Sequence, residues 1–287
     1  LPPLNVVGEP VGRDTAPAVA LATALVKARD PQGVFCILTA DHVIGNLDVF
    51  QATLNDALGI AAKQDVLITI GIQPTEPATG YGYIQLGDVV ETGTGTSFSK
   101  ASQFVEKPNL ATAESYVAGG DYVWNSGMFI WSVASIEKAL LAFRPAIGAI
   151  IDVISEAAKS GKLDATLAAM FGAVEKISID YAVMEKAGNI IAARGTFAWD
   201  DVGSWTAIEN HFPKDDHGNT LVGSCETIDA SGNIVYSRDR LTTLIGVSNL
   251  IVVQSDGVTL VCPRERAQDI KQMVVKLRAA GTYTEVL

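Results

Sequence analysis

The sequence has 287 residues, 48% of them apolar, and carries 32 acidic against 21 basic side chains for a net charge of −11. That content excludes a disordered chain and speaks against a generic nucleic-acid surface. No run of about 18 apolar residues marks a membrane span, and the opening LPPLNVVGEP has no basic stretch leading an apolar one, so a soluble, cytoplasmic protein with no membrane or nucleic-acid partner is expected.

Residues 14–30 read as a helix, with Asp14 or Thr15 as cap, Pro17 in the first turn and DPQG as the stop. VFCILT (34–39) is a short unbroken apolar run, the pattern of a strand covered on both faces. Leu47, Phe50, Leu54, Leu58 and Ala61 recur at helical spacing, and VLITIGI (66–72) reads as a second buried strand. Strand, helix and strand of these lengths form a βαβ unit, so an α/β fold with a largely parallel sheet is predicted. QPTEPATGYGY (73–83) holds too much Pro and Gly for either element and reads as a loop, while SQFVEKP (102–108) is a strand ending at its proline.

The stretch 136–171 reads as helix in two or three pieces, broken by RP at 144–145 and SGK at 160–162. After residue 214 the texture changes to short alternating runs between Gly, Asn and Asp turns, an all-β appendage with the look of β-helix coils. PRERAQDIKQMVVKLRAAG (263–281) closes the chain as a helix with Pro at its start and Gly at its end. Cys36, Cys225 and Cys262 lie far apart without CxxC spacing and read as reduced structural thiols.

In open α/β sheets ligands bind beyond the carboxyl ends of the strands. Asp41 follows VFCILTA, Glu106 and Lys107 finish SQFV, and Asp201 follows TFAW, so a cleft lined by carboxylates and one ammonium is predicted. FAWDDVGSW (197–205) sets two adjacent carboxylates between two tryptophans, and an ionised carboxylate buried there without a partner is costly. On extended backbone Asp200 and Asp201 point to opposite faces. One reaches water or a backbone donor. A divalent ion on Asp201, with Asp41 as fellow ligand, compensates the other, since Mg²⁺ takes one or two carboxylates plus substrate phosphate oxygens. Taken singly, each Asp serves equally as a cap for the turn or helix that follows.

Seven segments in order, GEPVGRDTAPAVALA (8–22), LTADHVI (38–44), GIQPTEPATGYGYI (71–84), FVEKPN (104–109), VWNSGMFIW (123–131), SIDYAVMEK (178–186) and WDDVGSW (199–205), resemble the mannose-1-phosphate guanylyltransferases. These are sugar nucleotidyltransferases that make GDP-mannose from GTP and mannose 1-phosphate. The resemblance implies a Rossmann-like (GT-A-like) nucleotidyltransferase domain over 1–213, its mixed, mainly parallel sheet flanked by helices, and a small β-helix-like appendage over 214–287. It implies that Asp41 and Asp201 bind the catalytic Mg²⁺, that Lys107 holds the sugar phosphate and Glu106 the sugar hydroxyls. Asn125 would hydrogen-bond the hexose, Asp180 would support that site, and Gly80, Tyr81 and Gly82 would line the sugar pocket, with glycine permitting close backbone approach.

Arg13 and Thr15 belong to the segment that approaches the nucleobase, which here departs from the commoner RNTAP by having Asp14. His42 is expected to orient its loop, and the tryptophans to be core. GTP, mannose 1-phosphate and GDP-mannose are the implied ligands, and a homo-oligomer is compatible with the resemblance. The attacking phosphate is already anionic, so positioning and charge stabilisation suffice without a catalytic His or Cys.

Relatives of this kind begin with a strand and a loop of the type GGxGTRLWPxSR…PK that cradles the triphosphate. No such segment stands ahead of Gly8 and Gly12, so the sequence is expected to be a portion of a longer polypeptide. No counterpart of the cupin-type isomerase domain of bifunctional relatives is visible, and no mannose-6-phosphate isomerisation is expected. The alternatives are another sugar-1-phosphate nucleotidyltransferase, or a non-catalytic nucleotide-sugar-binding subunit of the same fold.

Overall fold

The structure, a computed structural model, describes residue 2 and residues 5–286. The chain forms two compact units, Leu1–Ala40 with Ile44–Trp199, and Asp41–Val43 with Asp200–Leu287. Residues 200–213 and the short Asp41–Val43 segment fall in the second unit.

In the first unit Asp14 starts α1 (Thr15–Arg29), its carboxylate accepting the Thr15 N–H at 2.8 Å. Small residues on one face, Ala16, Ala20 and Ala24, are fully buried and let α1 lie close to its neighbours. The next elements are β1 (Val34–Ile37), the two-residue β2 (Val43–Ile44), α2 (Leu47–Ala61), β3 (Leu67–Ile72), β4 (Gly82–Val90) and β5 (Phe98–Glu106). After α3 (Leu110–Gly119) comes β6 (Tyr122–Ser132), then the helices α4 (Val133–Phe143), α5 (Pro145–Gly148), α6 (Ile150–Lys159) and α7 (Leu163–Met170). The predicted breaks at 144–145 and 160–162 fall between these helices. A π-helical turn over Asp180–Met184 leads into β7 (Ile190–Gly195) and the two-residue β8 (Trp199–Asp200).

The sheet runs β1-β6-β3-β7-β5-β4, with β4 also pairing to β6. β3 is buried at every residue, and its side chains alternate: Leu67 enters the core with α1, α4 and α6, while Ile68, Ile70 and Ile72 enter the core with α2 and Ala113 of α3. Helices thus cover both faces, the arrangement a doubly wound α/β fold requires. Burying each such isoleucine contributes about 1.5–3 kcal/mol.

The ladder is less parallel than the βαβ reading implies. β1 and β3 do point the same way, but β6 lies antiparallel between them, and β3–β7 is the parallel pairing among the described residues of this sheet. The reason is in β6 itself: Met128, Phe129, Ile130 and Trp131 are all buried, so this strand belongs in the middle of the sheet. β1, by contrast, pairs among the described residues only with β6 and is half-buried along its length, not covered on both faces as its apolar run suggested. Two loop boundaries also shift. Gly82 and Tyr83 are drawn from the expected loop into β4 by pairing with Glu106 and Val105, and the extended part of FAWDDV shrinks to Trp199–Asp200.

The second unit is built on β9 (Thr220–Ile228), β10 (Ile234–Ile245), β11 (Leu250–Ser255) and β12 (Val258–Pro263), followed by α8 (Ile270–Ala280). β9, β10 and β11 are parallel, stacking Thr220, Ile234 and Ile251 side by side, as in coils of a β-helix, and β12 closes the sheet antiparallel. Buried Asn219 and Asn233 staple the coils: the Asn219 Oδ1 accepts both the backbone and side-chain N–H of Asn233 at 2.9 Å. The closing helix is shorter than 263–281. Arg264 is held by its backbone N–H to the Asn249 carbonyl and by its guanidinium to the Gly232 carbonyl and Glu209, so residues 264–269 wind as a tight 3₁₀ turn. Gly281, at φ 65°, ends α8 as predicted.

Candidate functional site

The first unit gathers one cluster of polar side chains where β4, β5 and β6 come together. Gly82 faces Glu106 across the β4–β5 ladder, and Gly71 of β3 faces Asn125 of β6. A Cβ on Gly82 would come within 2.6 Å of the Glu106 Oε2, so the bare backbone leaves room for that carboxylate, and it would stand in ordinary contact, 3.5 Å, with the Asn125 Cβ. Asn125 donates through Nδ2 to the Asp180 Oδ1 at 2.9 Å, and its Oδ1 accepts from the Thr69 hydroxyl at 3.2 Å and the Gly127 N–H at 3.3 Å. Burial pushes the Asp180 carboxyl above its ordinary range, against the Asn125 hydrogen bond, and the charge of Glu106 adds to the rise.

Lys107 follows β5 in the left-handed conformation, φ 46°, a conformation uncommon for a residue with a side chain. Its N–H donates to the Tyr81 carbonyl at 3.2 Å, and its ammonium pairs with Glu106. Tyr81 packs edge-on against Trp124 at 4.9 Å and Trp199 at 5.4 Å, which fixes the bend containing Gly80 to Gly82. Glu106, Lys107, Asn125, Asp180, Tyr81 and Gly82 are therefore neighbours in space, though they span a hundred residues of sequence. Glu106 ends a strand as expected and Lys107 follows it; Asn125 lies inside one.

The expected nucleobase segment lies at the start of α1. The Thr15 hydroxyl accepts the Ile179 N–H at 2.8 Å, and the Ala16 N–H donates to the Ile177 carbonyl, so this segment is tied to the residues just before Asp180. The Arg13 Nε is buried without a hydrogen-bond partner, an atom that a bound acceptor would satisfy.

The second unit carries the aspartates. Asp41 and Asp201, 160 positions apart, both act on the His42 imidazole. Burial holds that ring below its usual range despite the opposing pull of Asp41, Asp201 and Asp200, so it is neutral at pH 7. Asp200 and Asp201 take separate partners. Asp200 accepts from the Val202 N–H at 2.8 Å, the Asn210 amide at 3.0 Å and the His211 Nε2 at 3.0 Å, while the Asp201 Oδ1 accepts the Gly203 N–H at 2.8 Å. The pairing question raised by FAWDDVGSW is thus answered for Asp200 by protein donors.

Among the described residues no group of three or more His, Cys, Asp or Glu is disposed to hold a metal ion. Asp41 with Asp201 offers hard oxygen donors only. That set fits a Mg²⁺-like cation drawing its remaining oxygens from water and phosphate, and not a cage made by protein alone.

Thr69, Asn210 and His211 escaped the sequence reading. Thr69 is one polar residue in a fully buried strand, a signal that a buried hydroxyl needs a partner. His211 and Asn210 gave no such signal, because what marks them is the carboxylate ten residues upstream.

A helix-covered mixed sheet with a polar cluster where β4, β5 and β6 meet, followed by parallel β coils, is the frame of a nucleotidyl transferase. The chain belongs to the nucleotidyl transferase family: residues 3–217 match the family model described as Nucleotidyl transferase, and residues 224–277 match the MannoseP isomerase/GMP-like beta-helix domain. Mannose-1-phosphate guanylyltransferase ManC of Salmonella typhimurium is 39% identical over 289 residues, covering 97% of this chain and 58% of the relative. Xanthan biosynthesis protein XanB of Xanthomonas campestris is 38% identical over 283 residues, with 97% and 58% covered. A crystal structure of mannose-1-phosphate geranyltransferase from Thermus thermophilus superposes with a TM-score of 0.78 at 34% identity, over 95% of this chain and 77% of that one. The chain spans 58% of the length of the two sequence relatives.

Proposed function

We propose that this chain is the nucleotidyl-transferring part of a mannose-1-phosphate guanylyltransferase. A phosphate oxygen of mannose 1-phosphate attacks the α-phosphorus of GTP, the bond to the β-phosphate bridging oxygen breaks, and GDP-mannose and pyrophosphate form. The observation that carries the reading is the meeting of Glu106 and Asn125 beside Gly82, a carboxylate that a Cβ there would crowd at 2.6 Å next to an amide in ordinary contact. Acceptor and donor together match the hydroxyls of a hexose. The names of the relatives support mannose and guanosine as the sugar and base.

Lys107 supplies a point charge for the sugar phosphate, and its strained backbone fixes where the side chain leaves the strand. Asn125, held by Thr69 and Asp180, presents a fixed amide to the sugar. Arg13 and Thr15 contribute to the nucleotide side. Asp41 and Asp201 hold Mg²⁺. When bound, that cation neutralises phosphate charge during the transfer. His42, neutral at pH 7, supports the loop that carries Asp41.

No described helix is long and apolar enough to cross a membrane. We place the protein in the cytosol on the strength of its three free cysteines, which suit a reducing compartment.

Calorimetry with GDP-mannose, with and without Mg²⁺, together with pyrophosphate release from GTP and a panel of sugar 1-phosphates, tests the assignment. Metal-dependent GDP-mannose binding and preference for mannose 1-phosphate are expected. Preference for another base or hexose would redirect it, and binding of no nucleotide-sugar would overturn it.

A further inference from the structure

We infer that Asp200 and His211 form a positioning pair that aims Asp201, a role outside the transfer chemistry itself. The inference rests on the reading of Asp41 and Asp201 as cation ligands.

Val202, next to Asp201, sits at φ 49°, in the left-handed region that a β-branched residue avoids. Something must hold it there. The Asp200 Oδ1 accepts the Val202 N–H at 2.8 Å, closing a turn around Asp201, while the Asp200 Oδ2 is engaged by Asn210 and by the His211 Nε2, each at 3.0 Å. With only 15% of its side chain exposed, Asp200 is held by three donors that come from both ends of the 200–211 segment. Asn210 and His211 stand at the close of the tight Trp205–Asn210 turn, where the His211 N–H also bonds the Ile208 carbonyl.

The consequence falls on the second aspartate. The Asp201 Oδ1 takes the Gly203 N–H, and its carboxylate lies so close over that glycine that a Cβ there would be 2.6 Å from the Oδ2. The direction of Asp201 is therefore set by the Val202–Gly203 backbone, and that backbone is pinned by Asp200. A metal ligand whose orientation is fixed by a neighbour's hydrogen bonds loses affinity when that neighbour is cut away. Asp200 acts through Asp201 and His211 acts through Asp200; neither needs to touch substrate.

The test is Mn²⁺ binding to the whole chain, read from the electron paramagnetic resonance of the free aquo ion, with melting curves alongside. The wild type binds and Asp201→Asn loses binding. Asp200→Ala and His211→Ala weaken Mn²⁺ affinity by about 10–100-fold, the range for removing a group that orients a ligand. His211→Gln, which keeps a donor for the Asp200 Oδ2, recovers most of that affinity at unchanged melting temperature. His211→Ala carries the test if Asp200→Ala does not melt cooperatively. Wild-type affinity in His211→Ala and Asp200→Ala, with Asp201→Asn still defective, overturns the positioning pair alone. Absence of Mn²⁺ binding by the wild type, or its persistence in Asp201→Asn, overturns the cation reading and the pair with it.

Discussion

Gly82→Ala separates the sugar site from the fold. Gly82 lacks positive φ, so alanine fits its backbone, but the added Cβ would stand 2.6 Å from the Glu106 Oε2, well inside a normal carbon–oxygen contact. Glu106 must swing away. Its ion pair with Lys107 is the interaction at stake, and with the two side chains 27% and 53% exposed that pair is worth at most about 1 kcal/mol. For a chain of this size such a loss moves Tm by about 2–4 °C. The effect on ligand is larger. A hydrogen bond from a sugar hydroxyl to a charged carboxylate is worth about 1.5–3 kcal/mol, or roughly 10–150-fold in Kd. Calorimetric titration of GDP-mannose and a thermal melt read both quantities on one preparation. Weakened binding with a near-native melt is expected, and Glu106→Ala should add little further loss in the Gly82→Ala background. Wild-type affinity in Gly82→Ala, or a melt that collapses, would refute the reasoning.

Other outcomes follow from the same geometry. Burial raises the Asp180 carboxyl, so the folded state binds its proton more tightly than the unfolded chain does; this contribution to stability is lost as pH rises from the ordinary carboxylate range through the raised value. Asp180→Asn, which keeps an acceptor for Asn125, should therefore raise Tm at pH 7.5 and lose that advantage by about pH 4, near the ordinary carboxylate value; an equal shift at both pH values would contradict this. Asp201→Ala should lower pyrophosphate release by about 10²–10³-fold, the scale of one strong charge stabiliser, and turnover unchanged in saturating Mg²⁺ would remove Asp201 from the ligands. Asn233→Ala strands the Leu250 N–H inside the β coils, at about 1–3 kcal/mol, while the Val247 carbonyl keeps the Ser231 N–H. Urea unfolding should show that loss, and an unchanged midpoint would show that water replaces the amide.

The site was partly legible because some residues announce themselves locally. Glu106 and Lys107 end an apolar run at a proline, and Asp201 sits where a carboxylate beside tryptophan demands a partner. Asn125 is one amide among the apolar neighbours Val123, Trp124 and Met128. What it bonds was not legible: Thr69 and Asp180 reach it only because β3 registers against β6 with Gly71 opposite Asn125. Thr15, assigned to the nucleotide side, spends its hydroxyl on the Ile179 N–H, a partner 164 positions away.

Local periodicity and capping, by themselves, determined the helices at 15–29 and 47–61, the fully buried strand at 67–72, the breaks among helices 133–170 and the β character beyond residue 220. Each depends on interactions within a few residues, so the amino-acid order suffices. Tertiary structure alone decided that β6 runs between β1 and β3, that Asp41 joins the unit of Asp200 and Asp201, and that His211 secures Asp200. Those are choices among partners distant in the chain, made by which apolar faces cover one another and which buried carboxylate finds a donor; no stretch of neighbouring residues encodes them.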